Sequence, residues 1–173
     1  TGSLAGADEV YGAAFKQSGI LRTHDIETLF DYAQALSKQP LSDGRRILII
    51  TNGGGFGVLA TDEVISRGMQ LATLTEKSRL EIAKFLPPYA KVHNPLDLIG
   101  DADAKRYESV LRIVEKDQSV DGILCVTLFQ TVSLEPEITH VLRRFNERYD
   151  KPIVVCSGGG EYARKYMRDI EGH

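Results

Sequence analysis

ILIITNGGGFGVLATDEVISRG, residues 47–68, is the stretch that decides the fold. Its first residues, Ile47–Ile50, form a short β-branched and Leu-rich run that is typical of a strand buried on both faces. The glycine-rich turn Asn52–Gly57 follows, and the apolar residues after it recur at helical spacing until Arg67–Gly68 ends the pattern. The stretch therefore predicts a strand, a glycine-rich turn and a helix.

The chemistry of this turn favours an anion as its ligand. Glycines allow positive φ angles and the close approach of a ligand, while the first N–H groups of a helix carry the positive end of its dipole. A tight strand-to-helix turn that binds nothing is the alternative at this point. The predicted phosphate site comprises the turn residues Asn52, Gly53, Gly54, Gly55, Phe56 and Gly57.

Composition indicates a globular protein and excludes several partners. The chain has 173 residues, enough to bury a core, with 42% hydrophobic and 26% charged residues. A formal net charge of -3 without a dense Lys/Arg run argues against nucleic acid, and no segment has the pattern of a membrane span or a signal peptide. Cys125 and Cys156 lie in apolar strand-like runs, which predicts two buried free thiols and a reducing, cytoplasmic location.

Strand and helix patterns alternate along the chain on either side of a linker at Gln39–Gly44. Helices are expected over Ala7–Ser18 and from Asp25 to Lys38, with Thr23 or Asp25 as the cap of the second. After the linker, helices capped by Thr75 and Ser133 are among those that separate the strands. The expected strands are 47–50, 69–74, 96–99, 122–127 and 153–156. Five strands with helical connections predict a doubly wound parallel sheet with helices on both faces.

Ligands of doubly wound sheets collect at the carboxyl ends of the strands. Three unusual turns fall there, at residues 52–57, 94–103 and 157–160. A secondary set of site residues is therefore predicted around the glycine-rich turn. It comprises Asn94, Asp97, Gly158, Gly159 and Gly160.

Other ligands fit the sequence less well. A P-loop requires Gly-Lys-Ser/Thr, whereas Gly57 is followed by two aliphatic residues. The dinucleotide pattern G-x-G-x-x-G/A is matched by Gly55, Gly57 and Ala60, with Glu76 about twenty residues further on, and a dinucleotide-binding module stays an alternative. The four histidines show no ligand spacing, so no metal site is predicted, and no catalytic acid, base and nucleophile set can be assembled.

Three segments, in this order, resemble the ADP-forming acyl-CoA synthetases (acetate–CoA ligases) of the succinyl-CoA synthetase superfamily. They are TGSLAGADEVYGAAFKQSGI, ITNGGGFGVLATDE and LPPYAKVHNPLDLIGDA, and the resemblance covers essentially the whole chain. It implies a flavodoxin-like fold. Residues 1–42 would be the C-terminal part of a preceding succinyl-CoA-synthetase-like domain, and residues 43–173 most of a second one.

The resemblance also implies the reaction acyl-CoA + ADP + phosphate ⇌ acid + ATP + CoA, through an acyl phosphate and a phosphohistidine. The family's phosphorylated histidine stands immediately before the segment that matches Thr1–Gly6, so it is absent here, and none of the four histidines present takes its role. The glycine-rich turn is expected to bind the phosphate on that histidine. The chain opens without Met and stops at His173, and is expected to be a piece of a longer polypeptide that is inactive alone.

The implied partners are the CoA-binding and ATP-grasp domains, on the same or a partner chain, with CoA, ADP or ATP, and Mg as the cofactors of the whole enzyme. Phosphate alone is expected to bind this fragment, and a homo-oligomer stays open. A regulatory domain of a CoA-dependent protein lysine acetyltransferase has the same architecture and is a further alternative. In one departure, family members commonly have Ala-Gly-Gly-Pro-Gly at the turn, where Phe56 replaces the proline and places an aromatic ring at its mouth.

Overall fold

The computed structural model describes residues 8–172, which form two compact units that divide between Lys38 and Gln39. The Thr1–Gly6 segment, which carries part of the family resemblance, lies outside the described residues, as does His173. None of the helices in the described residues has both the length and the apolar character needed to cross a membrane.

The described part of the first unit contains the helices α1 (Asp8–Gln17) and α2 (Ile26–Lys38), close to the predicted ranges. Asp25 caps α2 as predicted, because its carboxylate accepts the backbone N–H of Thr28 at 2.7 Å. Apolar spacing and a capping residue were thus sufficient to predict these two helices.

The second unit alternates strands and helices along the chain. Its strands are β1 (Arg46–Thr51), β2 (Gln70–Leu71), β3 (Leu96–Asp97), β4 (Gly122–Val126) and β5 (Ile153–Cys156). Its helices are α3 (Gly54–Ser66), α4 (Glu76–Ala83), α5 (Ala104–Val114), α6 (Glu137–Arg148) and α7 (Gly160–Glu171).

All strand pairs are parallel, in the order β2-β1-β4-β5, and β3 also pairs with β1. β2 pairs with the amino-terminal residues of β1, starting at Arg46, and β3 pairs with Ile50 and Thr51 at the carboxyl end. Buried side chains alternate between the two faces. Leu48 and Ile50 belong to the large core formed with α4 to α7, and Ile49 packs with Val64 of α3. The predicted doubly wound parallel sheet, covered by helices on both faces, is confirmed.

Asn94 explains why the predicted second strand, 69–74, is only two residues long. Its Nδ2 donates to the carbonyl oxygens of Ile47 at 2.7 Å and Ala72 at 3.0 Å, and its Oδ1 accepts the N–H of Ile49 at 3.0 Å. The side-chain amide therefore makes the hydrogen bonds to backbone groups of β1 and of Ala72 that a longer β2 would make with β1.

Of the two helix caps predicted after the linker, one is confirmed and one is wrong. Thr75 caps α4, since its hydroxyl accepts the N–H of Ser78 at 3.3 Å. The Ser133 cap is wrong: α6 begins at Glu137, with Pro136 at the N-cap position and no side-chain cap. The chain turns before this helix, where the N–H of Leu134 donates to the Thr131 carbonyl.

The two cysteines are free, as predicted, but only one is buried. Burial raises the pKa of the Cys125 thiol to about 12. Cys156 is exposed, which corrects the prediction. It is the last residue of β5, the edge strand of the sheet, and an apolar run at an edge does not guarantee burial.

Asp121 joins the amino ends of β1 and β4. Its Oδ2 accepts the N–H of Arg46 at 2.8 Å and the guanidinium Nε at 2.9 Å, while Oδ1 accepts Nη2 at 2.6 Å. These hydrogen bonds from Arg46 outweigh burial and lower the pKa of Asp121 from 3.8 to about 2.

Asp121→Asn is expected to lower the melting temperature at neutral pH and to reduce the sensitivity of the fold to acid. Because the folded-state pKa is depressed, the carboxylate stabilises the fold above about pH 4, and this contribution is lost as pH falls toward 2. Thermal unfolding followed by circular dichroism at pH 7 and about pH 2.5 measures both effects. Asp150→Asn, at an exposed position, is the control; equal acid sensitivity of wild type and Asp121→Asn would contradict the assignment.

Candidate anion-binding site

The N-terminus of α3 presents two open backbone donors. Gly53 occupies the N-cap position in an extended conformation, with no side-chain cap, and its N–H donates to Thr51 Oγ1 at 3.0 Å. The N–H groups of Phe56 and Gly57 donate back to the Gly53 carbonyl, at 3.0 and 3.3 Å. The N–H groups of Gly54 and Gly55 make no hydrogen bond among the described residues.

The open end of α3 differs from the first turns of α4 and α5, which have side-chain caps, whereas α6 and α7 have none. Thr75 caps α4, and Asp103 caps α5 by accepting the N–H of Arg106 at 2.8 Å. At α3 the first-turn donors and the positive end of the dipole remain available for an anion from outside the chain.

Asn52 fixes the turn but does not offer its side chain to a ligand. It is only 2% exposed, and its Nδ2 donates to the Leu128 carbonyl at 3.1 Å and to Thr131 Oγ1 at 3.0 Å. Its Oδ1 accepts the N–H of Leu128 at 2.8 Å. The side chain thus clamps the loop after β4 against the glycine-rich turn, and the donors of the predicted phosphate site are backbone groups.

Asp97 lies beside the first turn of α3. A Cβ placed on Gly54 would stand 2.7 Å from Asp97 Oδ2, so only glycine fits here without displacing the carboxylate. The other oxygen, Oδ1, accepts the N–H of Ile99 at 2.8 Å. Ile99 has φ of 68°, an uncommon value for a β-branched residue, and Asp97 helps to hold the loop in this conformation.

The glycines after β5 form the other side of the site. Gly159 has φ of 130°, and Gln130 Nε2 donates to the Gly158 carbonyl at 2.8 Å. A Cβ placed on Gly158 would lie 3.8 Å from Phe56 Cε1, so the Phe56 ring reaches this second glycine turn. Phe56 therefore bridges the two turns and remains 44% exposed.

Gly159→Ala is expected to destabilise the protein by about 2 kcal/mol, because the backbone conformation is unfavourable for any side chain. The new Cβ would also lie 1.3 Å from Gln130 Nε2, forcing that amide to move. Chemical denaturation measures the loss. Gly68→Ala is a matched control, since Gly68 has φ of 74° with nothing within 4 Å; equal losses would show that contact with Gln130 is unimportant.

The structure thus brings Gly53–Phe56, Asp97 and Gly158–Gly160 to the carboxyl edge of the sheet. Asn94 does not join them as a ligand-facing residue, because its amide is used inside the sheet. Sequence reasoning missed Gln130 and Thr131, although polar residues directly after the buried strand β4 were a usable signal. No group of three or more His, Cys, Asp or Glu side chains in residues 8–172 could hold a metal ion.

A parallel sheet with helices on both faces, and an uncapped glycine-rich helix N-terminus at its carboxyl edge, defines a flavodoxin-like domain with open backbone donors at that edge. Residues 47–168 match the family model of the ligase-CoA domain, and residues 1–36 match that of the succinyl-CoA ligase like flavodoxin domain. The chain belongs to the ligase-CoA domain family.

Similar proteins are acid–CoA ligases. The alpha subunit of acetate–CoA ligase [ADP-forming] I from Pyrococcus furiosus is 44% identical over 168 residues, covering 95% of this chain and 36% of that subunit. The 4-hydroxybutyrate–CoA ligase [ADP-forming] of Nitrosopumilus maritimus is 34% identical over 92% of this chain and 23% of its own length.

A solved structure has the same fold. It is described as the dinucleotide forming acetyl-coenzyme A synthetase 1 of Candidatus Korarchaeum cryptofilum, in complex with phosphate and ADP. It superposes with a TM-score of 0.84 at 34% identity, over 98% of this chain and 38% of that one. The family resemblance is confirmed, and these relatives give no support to the acetyltransferase and dinucleotide alternatives. The present chain spans little more than a third of the acetate–CoA ligase subunit.

Proposed function

We propose that this chain is part of an ADP-forming acyl-CoA synthetase and supplies the phosphate-binding half of a phosphohistidine site. The observation that carries the proposal is the pair of open N–H donors of Gly54 and Gly55 at the uncapped N-terminus of α3. The ligase names of the similar proteins support the reaction, and the phosphate bound in the similar structure supports the anion.

The open N-terminus of α3 has room for a phosphoryl group carried by a histidine from outside this segment. Nothing lies within 4 Å of the position that a Cβ on Gly55 would take, so there is room for phosphate oxygens over the helix end. Backbone donors that are already fixed stabilise the charge of a phosphoryl group during transfer without reorganising. The chain's own contribution is binding and electrostatic stabilisation, while the phosphorylated histidine comes from outside this segment.

Asp97 adds a hydrogen-bond acceptor to the site. Its carboxylate lies beside Gly54, next to the open donors. An ionised carboxylate only accepts hydrogen bonds, and the ionised phosphoryl group of a phosphohistidine has no hydrogen to donate. The N–H of an imidazole ring is a suitable donor. We therefore assign the phosphate to Gly54 and Gly55, and the ring of the incoming histidine to Asp97.

The remaining assignments follow from the same family. Residues 1–42 are assigned to the end of a preceding domain, and residues 43–173 to the flavodoxin-like domain that holds the site. CoA, ADP or ATP, and Mg are assigned to CoA-binding and ATP-grasp domains of the whole enzyme. The two free cysteines accord with a cytoplasmic protein.

The test is an assay of the whole enzyme, which contains this chain, the residues before Thr1, and the CoA-binding and ATP-grasp domains on the same or a partner chain. With acetyl-CoA, ADP and phosphate, a coupled luminescence assay is expected to detect ATP. Replacement of a histidine directly before Thr1 by asparagine is expected to abolish ATP formation. Lysine acetylation of a partner protein without ATP formation would contradict the proposal and favour the acetyltransferase reading.

A further inference from the structure

A cavity lies away from the glycine-rich edge, between α4 and α5. We call it the α4–α5 groove. It has a volume of about 670 Å³, and a helical stripe lines each wall. The stripes are Lys77, Glu81, Lys84 and Phe85 on the α4 side, and Ser109, Arg112, Ile113 and Lys116 on the α5 side. The groove shares no lining residue with the proposed phosphohistidine site.

The walls carry an excess of positive charge. Lys77, Lys84 and Lys116 make no ion pair among residues 8–172, whereas Arg112 is paired with Glu108 at 2.8 Å. The lining has four cationic side chains against two carboxylates, Glu81 and Asp117, and this excess of positive charge attracts an anion.

The buried acid of the groove lining forms no ion pair with these lysines, because its oxygens are used by other donors. Asp117 is 3% exposed; its Oδ2 accepts the N–H and hydroxyl of Thr75, and its Oδ1 accepts the N–H and hydroxyl of Ser119. Burial acts to raise the pKa of Asp117, but hydrogen bonds from Ser78, Ser119 and Thr75 outweigh it and hold this pKa well below its usual value. The carboxylate is fixed as part of the wall.

An aromatic ring lies in the same groove. Phe85 lies just after the end of α4 and is 44% exposed. It directly follows Lys84, one of the unpaired lysines. An exposed ring next to ammonium groups suits a ligand that combines a flat heterocycle with phosphate.

We propose that the α4–α5 groove binds a nucleoside phosphate, with the phosphoryl groups on Lys77, Lys84 and Lys116 and the base on Phe85. Its volume is in the range of small-molecule sites. Asp117 lies in the loop before β4, so this part of the groove is at the amino ends of the strands, opposite the phosphohistidine site. The groove is a separate nucleotide site.

Calorimetric titration of the chain with ADP and with pyrophosphate tests this assignment. The double variant Lys84→Glu/Lys116→Glu is expected to weaken the binding of both ligands by roughly tenfold or more. Phe85→Ala is expected to weaken ADP binding and to leave pyrophosphate binding unchanged. Far-UV circular dichroism confirms that each variant is folded.

Two controls use exposed residues that do not line the groove, Lys105→Glu on α5 and Leu80→Ala on α4; both are expected to bind ADP like wild type. Absence of saturable ADP binding by wild type would overturn the proposal, as would an equal loss in Lys105→Glu. Gly55→Asp is expected to leave ADP binding unchanged, which separates this site from the phosphohistidine site.

Discussion

Gly55→Asp is expected to abolish phosphate binding at α3 while leaving the chain at least as stable as Gly55→Ala. Nothing lies within 4 Å of a Cβ at this position, so the Cβ of either substitution has room. An aspartate in the first turn interacts favourably with the helix dipole, by about 0.3–1 kcal/mol, and its charge repels a phosphate at the same donors. In the whole enzyme, loss of this stabilisation is expected to reduce the rate of phosphoryl transfer by about 10²- to 10³-fold.

The variant Gly55→Ala distinguishes the effect of the aspartate charge on phosphate binding from the effect of an added side chain. Gly55→Ala keeps every backbone donor and adds only an uncharged methyl group, so phosphate binding and turnover are expected to fall much less than in Gly55→Asp. Thermal unfolding shows whether each variant is folded. If Gly55→Asp were to bind phosphate as well as Gly55→Ala does, the helix terminus would not be the phosphate site.

Asn94→Ala is expected to lower the free energy of unfolding by about 3 kcal/mol, because it leaves buried backbone groups without partners. The N–H of Ile49 loses its acceptor and the carbonyl oxygen of Ala72 loses its donor, while the carbonyl oxygen of Ile47 keeps only the N–H of Ala72 at 2.9 Å. The prediction also distinguishes a structural residue from a ligand-binding one, since phosphate binding by the folded fraction is expected to be unchanged. Urea unfolding measures the loss.

The Asn94→Asp variant is expected to have a stability that depends on pH. Its carboxylate can accept the N–H of Ile49 but faces two carbonyl oxygens, which raises its pKa in the folded state. Stability is therefore expected to be lost as pH rises above the unfolded-state value of about 4, and to recover in acid when the carboxyl becomes a donor. A variant as stable at pH 7 as wild type would contradict the role given to Asn94.

The fold was predictable because local signals agreed with one another. The apolar strand at Ile47–Ile50, the glycine-rich turn and the helical spacing after it each favoured the same unit, and the alternation downstream favoured a parallel sheet. The failures arose where a distant residue decides the outcome. Asn94 shortens β2 from more than twenty residues away along the chain, and the edge position of β5 exposes Cys156.

The candidate site was predictable to the same degree. Glycines that end a buried strand and begin a helix indicated open backbone donors at Gly54 and Gly55. The sequence could not show that Asn52 is occupied by the loop after β4, nor that Asp97 faces Gly54, because both depend on contacts across the sheet edge.

Nuclear magnetic resonance shows whether the N-terminus of α3 binds a phosphoryl group. In a titration of the ¹⁵N-labelled chain with inorganic phosphate, the amide signals of Gly54 and Gly55 are expected to shift saturably, while those of the capped helix α5 stay in place. Amide signals of Gly54 and Gly55 that do not respond to phosphate but shift saturably with NAD would show that the N-terminus of α3 is not a phosphate site and would favour a dinucleotide as its ligand.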